Sequence, residues 1–199
     1  MSNGEIEIDP AVLNQLEEIE KEMENVERDL VKQQIKLTGP IYKKRAEIVA
    51  TVPKFWLQVL GNHPVTNQLI EHDDVEILEH LETLDVVRDE ENPDNYKIEL
   101  TFSENPFFTN KTLVKEITTD ENDVSTAKTF AIDWKEGKDV TKKETGSFFQ
   151  WFSEDEDSDL GELIRDDIFP NAFRYYQGID EEDDDDEEID LGEDDEDEE

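Results

Sequence analysis

The chain has 199 residues, 57 of them acidic and 19 basic, and carries a formal net charge of −38 with no cysteine. The length accommodates one ordinary domain with additions. The lack of cysteine excludes a disulfide framework and a thiolate metal site, and it favours a reducing compartment. So strong a negative charge repels nucleic acids and anionic membranes, whereas it attracts basic proteins and speeds their encounter.

Both ends of the chain are acidic and polar. No stretch has the run of about 18 apolar residues that a membrane span needs, and residues 1–9 contain acids but no base. We therefore expect an intracellular protein with neither a transmembrane helix nor a signal peptide, and no membrane partner. Residues 1–8 are expected to be disordered. So is the tail, 179–199, because residues 180–199 include 17 acids and only two large apolar side chains.

A long helix with one narrow apolar stripe is predicted over residues 9–52. Asp9 is a suitable N-cap, and Pro10 suits the first helical position, where its missing N–H costs nothing. Apolar residues then recur at alternating spacings of three and four, which is the a/d pattern of a coiled coil. The stripe consists of Leu16, Ile19, Met23, Val26, Leu30, Gln33 and Leu37.

The apolar stripe must be buried against another surface, and two surfaces could bury it. A helix of about 40 residues spans about 60 Å, twice the width of a small domain, and the stripe is too narrow for a globular core face. We predict that a second copy covers it, so that the seven stripe residues form a homodimer interface. An intramolecular clasp against the C-terminal half is the alternative. Pro40 removes a helical hydrogen bond and crowds the preceding turn, so a kink or break is expected near residues 39–40.

An α+β domain is expected over residues 53–178. Pro53 ends the long helix, and alternation of apolar with polar residues predicts a four-stranded antiparallel sheet with flanking helices. The predicted strands are Leu84–Arg88, Tyr96–Phe102, Leu113–Thr118 and Thr126–Trp134. The predicted short helices are Val65–Glu71, Asp74–His80 and Leu160–Phe169.

Six short motifs follow one another along the chain. They are Gly39–Ile48, Pro53–Trp56, Asn62–Pro64, Glu104–Phe108, Ser147–Phe152 and Asp166–Asn171. In this order they resemble the nucleosome assembly protein family, and most of all its SET branch, also called template-activating factor I. The resemblance extends from the long helix to Gln177. It implies a homodimer of antiparallel long helices with an "earmuff" domain at each end and histones held against the lower surface of the earmuffs.

The resemblance also implies a function. A nuclear histone chaperone, present in the cytoplasm as a second compartment, would bind basic core histones, shield them from DNA and promote nucleosome assembly and disassembly without catalysis. Its partner would be the histone pair that forms the central tetramer of the nucleosome, the pair that flanks it, or both. The alternative is a regulatory binding protein that inhibits a protein phosphatase or histone acetylation.

The candidate histone-binding residues surround the aromatic segment Phe148–Phe152, which the resemblance puts beside the histone-facing surface. They are Gln150, Ser153, Glu154, Asp155, Asp157, Asp159, Glu162, Asp166 and Asp167. Their carboxylates could accept bidentate contacts from Arg and point-charge contacts from Lys. A solvated loop and a charged helix face are the alternative interpretation.

Other kinds of site are disfavoured. The acidic run that begins at Asp155 lacks the glycine that a calcium-binding EF-hand loop has at its sixth position. His63, His72 and His80 lack the spacing of zinc ligands, and no nucleophile or phosphate-loop motif occurs. We therefore expect no metal, no cofactor and no enzyme activity. Weak DNA contact could come from Lys135, Lys138, Lys142 and Lys143, but a solvated turn is favoured there because the net charge opposes DNA binding.

Overall fold

The computed structural model describes residues 9–120, 124–144, 146–155 and 159–179. Residues 1–8, the acidic residues 180–199 and Asp157 therefore lie outside the described part of the chain. The helices are α1 (Pro10–Val49), α2 (Phe55–Asn62), α3 (Pro64–Leu69), α4 (His72–Leu78), α5 (Phe148–Ser153), α6 (Asp159–Leu163) and α7 (Ala172–Gln177). The strands are β1 (Leu81–Arg88), β2 (Tyr96–Phe102), β3 (Thr112–Thr119) and β4 (Ser125–Thr129).

The long helix begins as the sequence predicts and continues without interruption. The Asp9 carboxylate accepts a hydrogen bond of 2.8 Å from the amide of Ala11, and Pro10 occupies the first turn. Pro40 lies inside the helix, so the break predicted near residues 39–40 is wrong. Proline removes only one hydrogen bond, to the carbonyl of Lys36, and both residues lie on the exposed side of the helix, where water can replace that bond.

The C-terminal half of α1 packs against its own domain through one face. The Arg45 guanidinium donates hydrogen bonds of 2.6 Å and 3.2 Å to the carbonyls of Phe169 and Pro170. It also lies 4.7 Å from the ring centroid of Tyr42 and 4.4 Å from that of Phe169. Val49 is buried in the core. This face therefore fixes the direction in which α1 leaves the domain.

The predicted stripe lies on a different face of α1 and is exposed. Its six apolar members are between 47% and 72% exposed, and Gln33 is exposed as well. Ile41 and Ile48, beyond Pro40, are also exposed. The described part of the domain leaves the stripe uncovered, so the intramolecular clasp does not form there.

The four strands form one antiparallel sheet in the order β1-β2-β3-β4, which confirms the predicted sheet. Val86 pairs with Ile98, and Leu100 pairs with Leu113. Strand β4 ends at Thr129, five residues before the predicted end. Beyond Thr129, hydrogen bonds of the Asn110 side chain replace strand pairing. This side chain accepts a hydrogen bond of 2.7 Å from the amide of Asp133 and donates one of 3.2 Å to the carbonyl of Ala131.

The aromatic segment forms α5 and fills the space on one face of the sheet. Its buried rings belong to Phe148, Phe149, Trp151 and Phe152. The Phe149 ring packs against Phe108 and Trp134 with centroids 6.3 Å and 6.0 Å apart. The helix predicted over Leu160–Phe169 is instead α6 followed by a π-helical turn, Ile164–Ile168.

A polar cluster ties α7 to α3 and the π-helical turn. The Asp167 carboxylate accepts hydrogen bonds of 2.8 Å from the Tyr175 hydroxyl and 2.9 Å from the Asn171 amide. His63 Nε2 lies 3.3 Å from the same carboxylate. Because His63 Nδ1 accepts from the backbone amides that open α3, Nε2 carries the proton and donates to Asp167.

The cluster sets the protonation behaviour of Asp167. Burial by itself would raise the pKa of this carboxyl, but the hydrogen bonds from Asn171, Tyr175 and His63 outweigh burial and lower the pKa below its usual value of 3.8. A carboxyl with a lowered pKa in the folded state stabilises the fold above its unfolded pKa. That contribution is lost as the pH falls through the folded pKa.

We predict that Asp167→Asn lowers the free energy of unfolding by about 2 kcal/mol at pH 7, because hydrogen bonds to a charged acceptor are lost. The difference from the unmodified protein should shrink as the pH falls below about 4. Urea unfolding followed by circular dichroism at several pH values measures it. Asp94→Asn, which removes an exposed ion pair with Arg28, is the control and should cost about 0.5 kcal/mol or less. An equal loss at pH 7 and pH 3 would contradict the assignment.

Candidate functional site

The described residues show neither a metal centre nor a membrane-spanning helix. Among them no group of three or more His, Cys, Asp or Glu side chains is placed to hold a metal ion. Within the same residues, no helix combines the length and the apolar character needed to cross a bilayer. His63 caps a helix, and His80 lies 3.4 Å from the Ser103 hydroxyl. The charged groups on the surface are therefore the candidates for a binding site.

Five of the nine predicted site residues lie together beside α5. They are Gln150, Ser153, Glu154, Asp155 and Asp159, all of them exposed, and together we call them the α5 surface. The Gln150 amide donates a hydrogen bond of 3.2 Å to the Glu154 carboxylate. The Thr129 hydroxyl donates a hydrogen bond of 2.7 Å to the Asp155 carboxylate, which joins the α5 surface to the end of β4. The buried rings of α5 leave these intervening residues on the outside.

Part of the α5 surface lines a groove of about 450 Å³. Gln150, Glu154 and Asp159 lie along it. Its apolar lining comes from Leu69, Trp151 and Leu160. The groove thus offers carboxylates and an amide around an apolar wall.

The groove also contains residues that the sequence did not point to. Gln68, in α3, and Glu71, the N-cap of α4, line it together with Glu154 and Asp159. They precede α5 by about 80 residues in the chain, and neither belongs to an acidic run. Only the folding of the chain brings them to the site, so no local signal could have found them.

Three further predicted site residues lie elsewhere and already have partners, and the ninth, Asp157, lies outside the described residues. Asp166 forms a two-pronged ion pair with Arg165, with distances of 2.8 Å and 2.5 Å, and lies 3.7 Å from Arg88. Asp167 belongs to the polar cluster described above. Glu162 is exposed on α6, with its carboxylate 4.0 Å from Arg165. The charge of Asp166 is therefore compensated within the chain, and the Asp167 carboxylate has a structural role.

The four lysines considered for DNA contact also have partners. Lys135 donates a hydrogen bond of 2.6 Å to the carbonyl of Asn105, and Lys142 forms an ion pair of 2.8 Å with Asp139. Lys143 pairs with Asp73, and the Lys138 ammonium lies 5.5 Å from the Phe107 ring centroid. Hence these side chains do not form a free basic patch.

The geometry of the groove is suited to cationic side chains. Lysine and arginine have an aliphatic stem that packs on apolar surface and a charged head that remains polar. Around the groove, Leu69 and Leu160 provide apolar contact for the stem, while exposed carboxylates provide acceptors for the head. The arrangement can bind cations but contains no nucleophile paired with a base.

Comparison with known proteins identifies the family. The family model described as "Nucleosome assembly protein (NAP)" matches residues 49–148. Human Protein SETSIP is 36% identical over 71% of this chain and 54% of its own length. Protein SET of Drosophila melanogaster is 34% identical over 71% of this chain and 61% of its length. The chain thus spans little more than half the length of these two relatives.

Relatives that match over more of both chains indicate the same family. NAP1-related protein 2 of Oryza sativa subsp. indica is 34% identical over 88% of this chain and 81% of its own length. The crystal structure of Nucleosome assembly protein S from Plasmodium falciparum superposes with a TM-score of 0.71 and 32% identity, covering 83% of this chain and 96% of that one. The long helix followed by an earmuff domain is thereby confirmed. The chain belongs to the nucleosome assembly protein family and is close to its SET branch.

Proposed function

We propose that the protein is a histone chaperone, which binds basic core histones through acidic surfaces, shields them from DNA and promotes nucleosome assembly and disassembly. The observation that carries the proposal is the groove beside α5, where Glu71, Glu154 and Asp159 are exposed around an apolar wall in a member of this family. Catalysis has no part in the proposal. The nucleus, where histones meet DNA, is the proposed location, with the cytoplasm as a second one.

The folded surface and the acidic residues 180–199 would contribute differently to histone binding. Residues 180–199 carry a uniform negative charge, which raises the encounter rate with any basic protein without distinguishing one basic protein from another. The α5 surface is attached to the aromatic core, so its carboxylates keep a defined spacing. Selection among basic partners therefore belongs to the α5 surface together with Glu71, which lines the same groove.

Homodimer formation completes the proposal. The exposed stripe of α1 is the kind of apolar surface that a second copy would bury, since a twofold pair presents the same stripe from both sides. A homodimer holds two α5 surfaces at the ends of one rigid rod, so that one particle binds a basic partner at two places and gains avidity. The resemblance implies an antiparallel pair.

We predict that Glu154→Gln, Asp155→Asn and Asp159→Asn together weaken binding of purified core histones roughly tenfold at ~0.3 M salt, where diffuse attraction is screened. Deletion of residues 180–199 should weaken binding mainly at low salt and leave protection of histones from aggregation. Calorimetry with each of the two core-histone pairs, at two salt concentrations, measures both effects. The same titrations show which pair is preferred.

The matched control removes the same number of charges elsewhere. Glu90→Gln, Glu91→Gln and Glu136→Gln replace three exposed acids that do not line the groove, so binding at ~0.3 M salt should change less than about twofold. If the control weakens binding as much as the three-site variant does, net charge alone determines binding. If tail deletion abolishes binding at both salt concentrations and the three-site variant binds normally, the tail is the binding site.

We predict that replacing Ile19, Met23 and Leu30 together by Glu converts the homodimer into a monomer or an unfolded chain. Unpaired charges in a buried seam cost far more than the packing they replace. Light scattering coupled to size-exclusion chromatography measures the mass.

The control for the stripe adds the same three charges on the opposite side of the helix. Ala11→Glu, Asn14→Glu and Asn25→Glu replace exposed residues outside the stripe, and this variant should keep the dimer mass. A stable dimer after the stripe substitutions would show that another surface holds the two copies together.

A further inference from the structure

A buried lysine lies beneath the α5 surface. Lys115, on β3, is fully buried. Its ammonium donates hydrogen bonds of 2.7 Å to the carbonyl of Trp151 and 2.8 Å to the carbonyl of Glu154. It also lies 4.5 Å from the ring centroid of Trp151. Lysine is almost never buried so completely, because removing an ammonium from water is costly unless polar partners replace the water.

A buried aspartate lies at the other end of the same helix. Asp74, in α4, is also fully buried. Its carboxylate accepts hydrogen bonds of 2.8 Å from the amide of Phe148 and 2.6 Å from the hydroxyl of Ser147, the N-cap of α5. It accepts a third hydrogen bond, of 3.0 Å, from the amide of Glu71. Asp74 therefore connects the start of α5 to the segment between α3 and α4.

The two charges satisfy the ends of a helix that is too short to be stable alone. Helix α5 has six residues, well below the length at which isolated helices persist in water. Every helix leaves unpaired amides at its start and unpaired carbonyls at its end. Asp74 accepts from an amide at the start, Lys115 donates to carbonyls at the end, and each charge has the sign that the helix end favours.

The same hydrogen bonds hold two acids of the groove. Asp74 binds the backbone of Glu71, and Lys115 binds the backbone of Glu154. The side chains of Glu71 and Glu154 line the groove from different elements. Fixing both backbones from the interior therefore restrains the distance between the two carboxylates.

We propose that Asp74 and Lys115 are positioning residues for histone binding, a pair of buried opposite charges that fixes the spacing of the groove carboxylates without touching the histone. The inference rests on the proposed function for its ligand. It predicts an effect opposite to that of simple electrostatics, because removing the Lys115 charge makes the protein more negative and yet should weaken its hold on a basic partner.

The test compares Lys115→Met with a matched control. Lys115→Met should weaken binding of the purified tetramer-forming histone pair roughly tenfold at ~0.3 M salt, measured by calorimetry. Lys97→Met removes the same charge from an exposed ion pair with Glu116 on the neighbouring strands, and it should leave binding unchanged or slightly tighter. Asp74→Asn should weaken binding as Lys115→Met does.

A double-mutant cycle separates positioning from general support of the fold. In a background that carries Glu71→Gln and Glu154→Gln, Lys115→Met should cause no further loss, because the carboxylates that it positions are absent. A residue that only stabilises the domain would cause the same loss in both backgrounds. Equal losses would therefore overturn the proposal.

Hydrogen exchange without histones tests the arrangement independently of the proposed function. The amides of residues 151–155 should exchange at least about tenfold faster in Lys115→Met than in the unmodified protein, while those of β2 stay protected. If the unmodified protein fails to bind histones, the proposed function fails and hydrogen exchange still decides whether the pair holds the groove.

Unfolding of a variant is also decisive. If Lys115→Met does not fold, as judged by circular dichroism, Asp74→Asn alone is carried through the cycle. If neither variant folds, the pair is required for the fold itself and the positioning proposal is wrong. Unchanged binding and unchanged exchange in a folded Lys115→Met would overturn it too.

Discussion

Burial of the aromatic face of α5 is the constraint on which the rest of the domain depends. Four large rings within the five residues 148–152 are unfavourable in water, and the sheet provides the apolar surface that covers them. Once the rings point inward, the polar residues between them must point outward. Gln150 and Ser153 are therefore exposed for the same reason that Phe149 and Trp151 are buried. The candidate binding surface is thus the outer side of a core element, which gives it rigidity that a free acidic loop lacks.

The long helix α1 imposes a second constraint, because it has two apolar faces and only one of them packs against the chain's own domain. Tyr42, Arg45 and Val49 pack against the chain's own domain, whereas Leu37, Ile41 and Ile48 remain exposed on another face. A single stripe would have left the position of the helix relative to the domain undetermined. With two faces, the domain fixes how the helix projects, and the exposed face fixes where a second copy can bind.

The sequence revealed what depends on local pattern and missed what depends on distant packing. Alternation at Tyr96–Phe102 predicted its strand, and the spacing of Leu16 to Leu37 predicted the exposed stripe, because both patterns repeat within a single element. The helix break at Pro40 was wrong because the flanking turns of a 40-residue helix persist despite one missing bond. Glu71 was missed because it reaches the groove only when segments about 80 residues apart pack together. Asp166 was included because adjacency in sequence does not determine whether its side chain pairs with Arg165, and its second partner, Arg88, comes from a distant strand.

That difference between paired and unpaired acids indicates how charge is used here. Asp166 meets Arg165 and Arg88, and Asp167 receives three hydrogen bonds, so these carboxylates stabilise the fold. Within the described residues, by contrast, no basic side chain pairs with Glu71, Glu154 or Asp159. Like charges around one groove repel one another and lower the stability of the domain. Proteins tolerate such local conflicts mainly where function requires them. A basic partner would remove the repulsion as it binds, so part of its affinity would come from relieving an unfavourable interaction that the folded protein maintains in its absence.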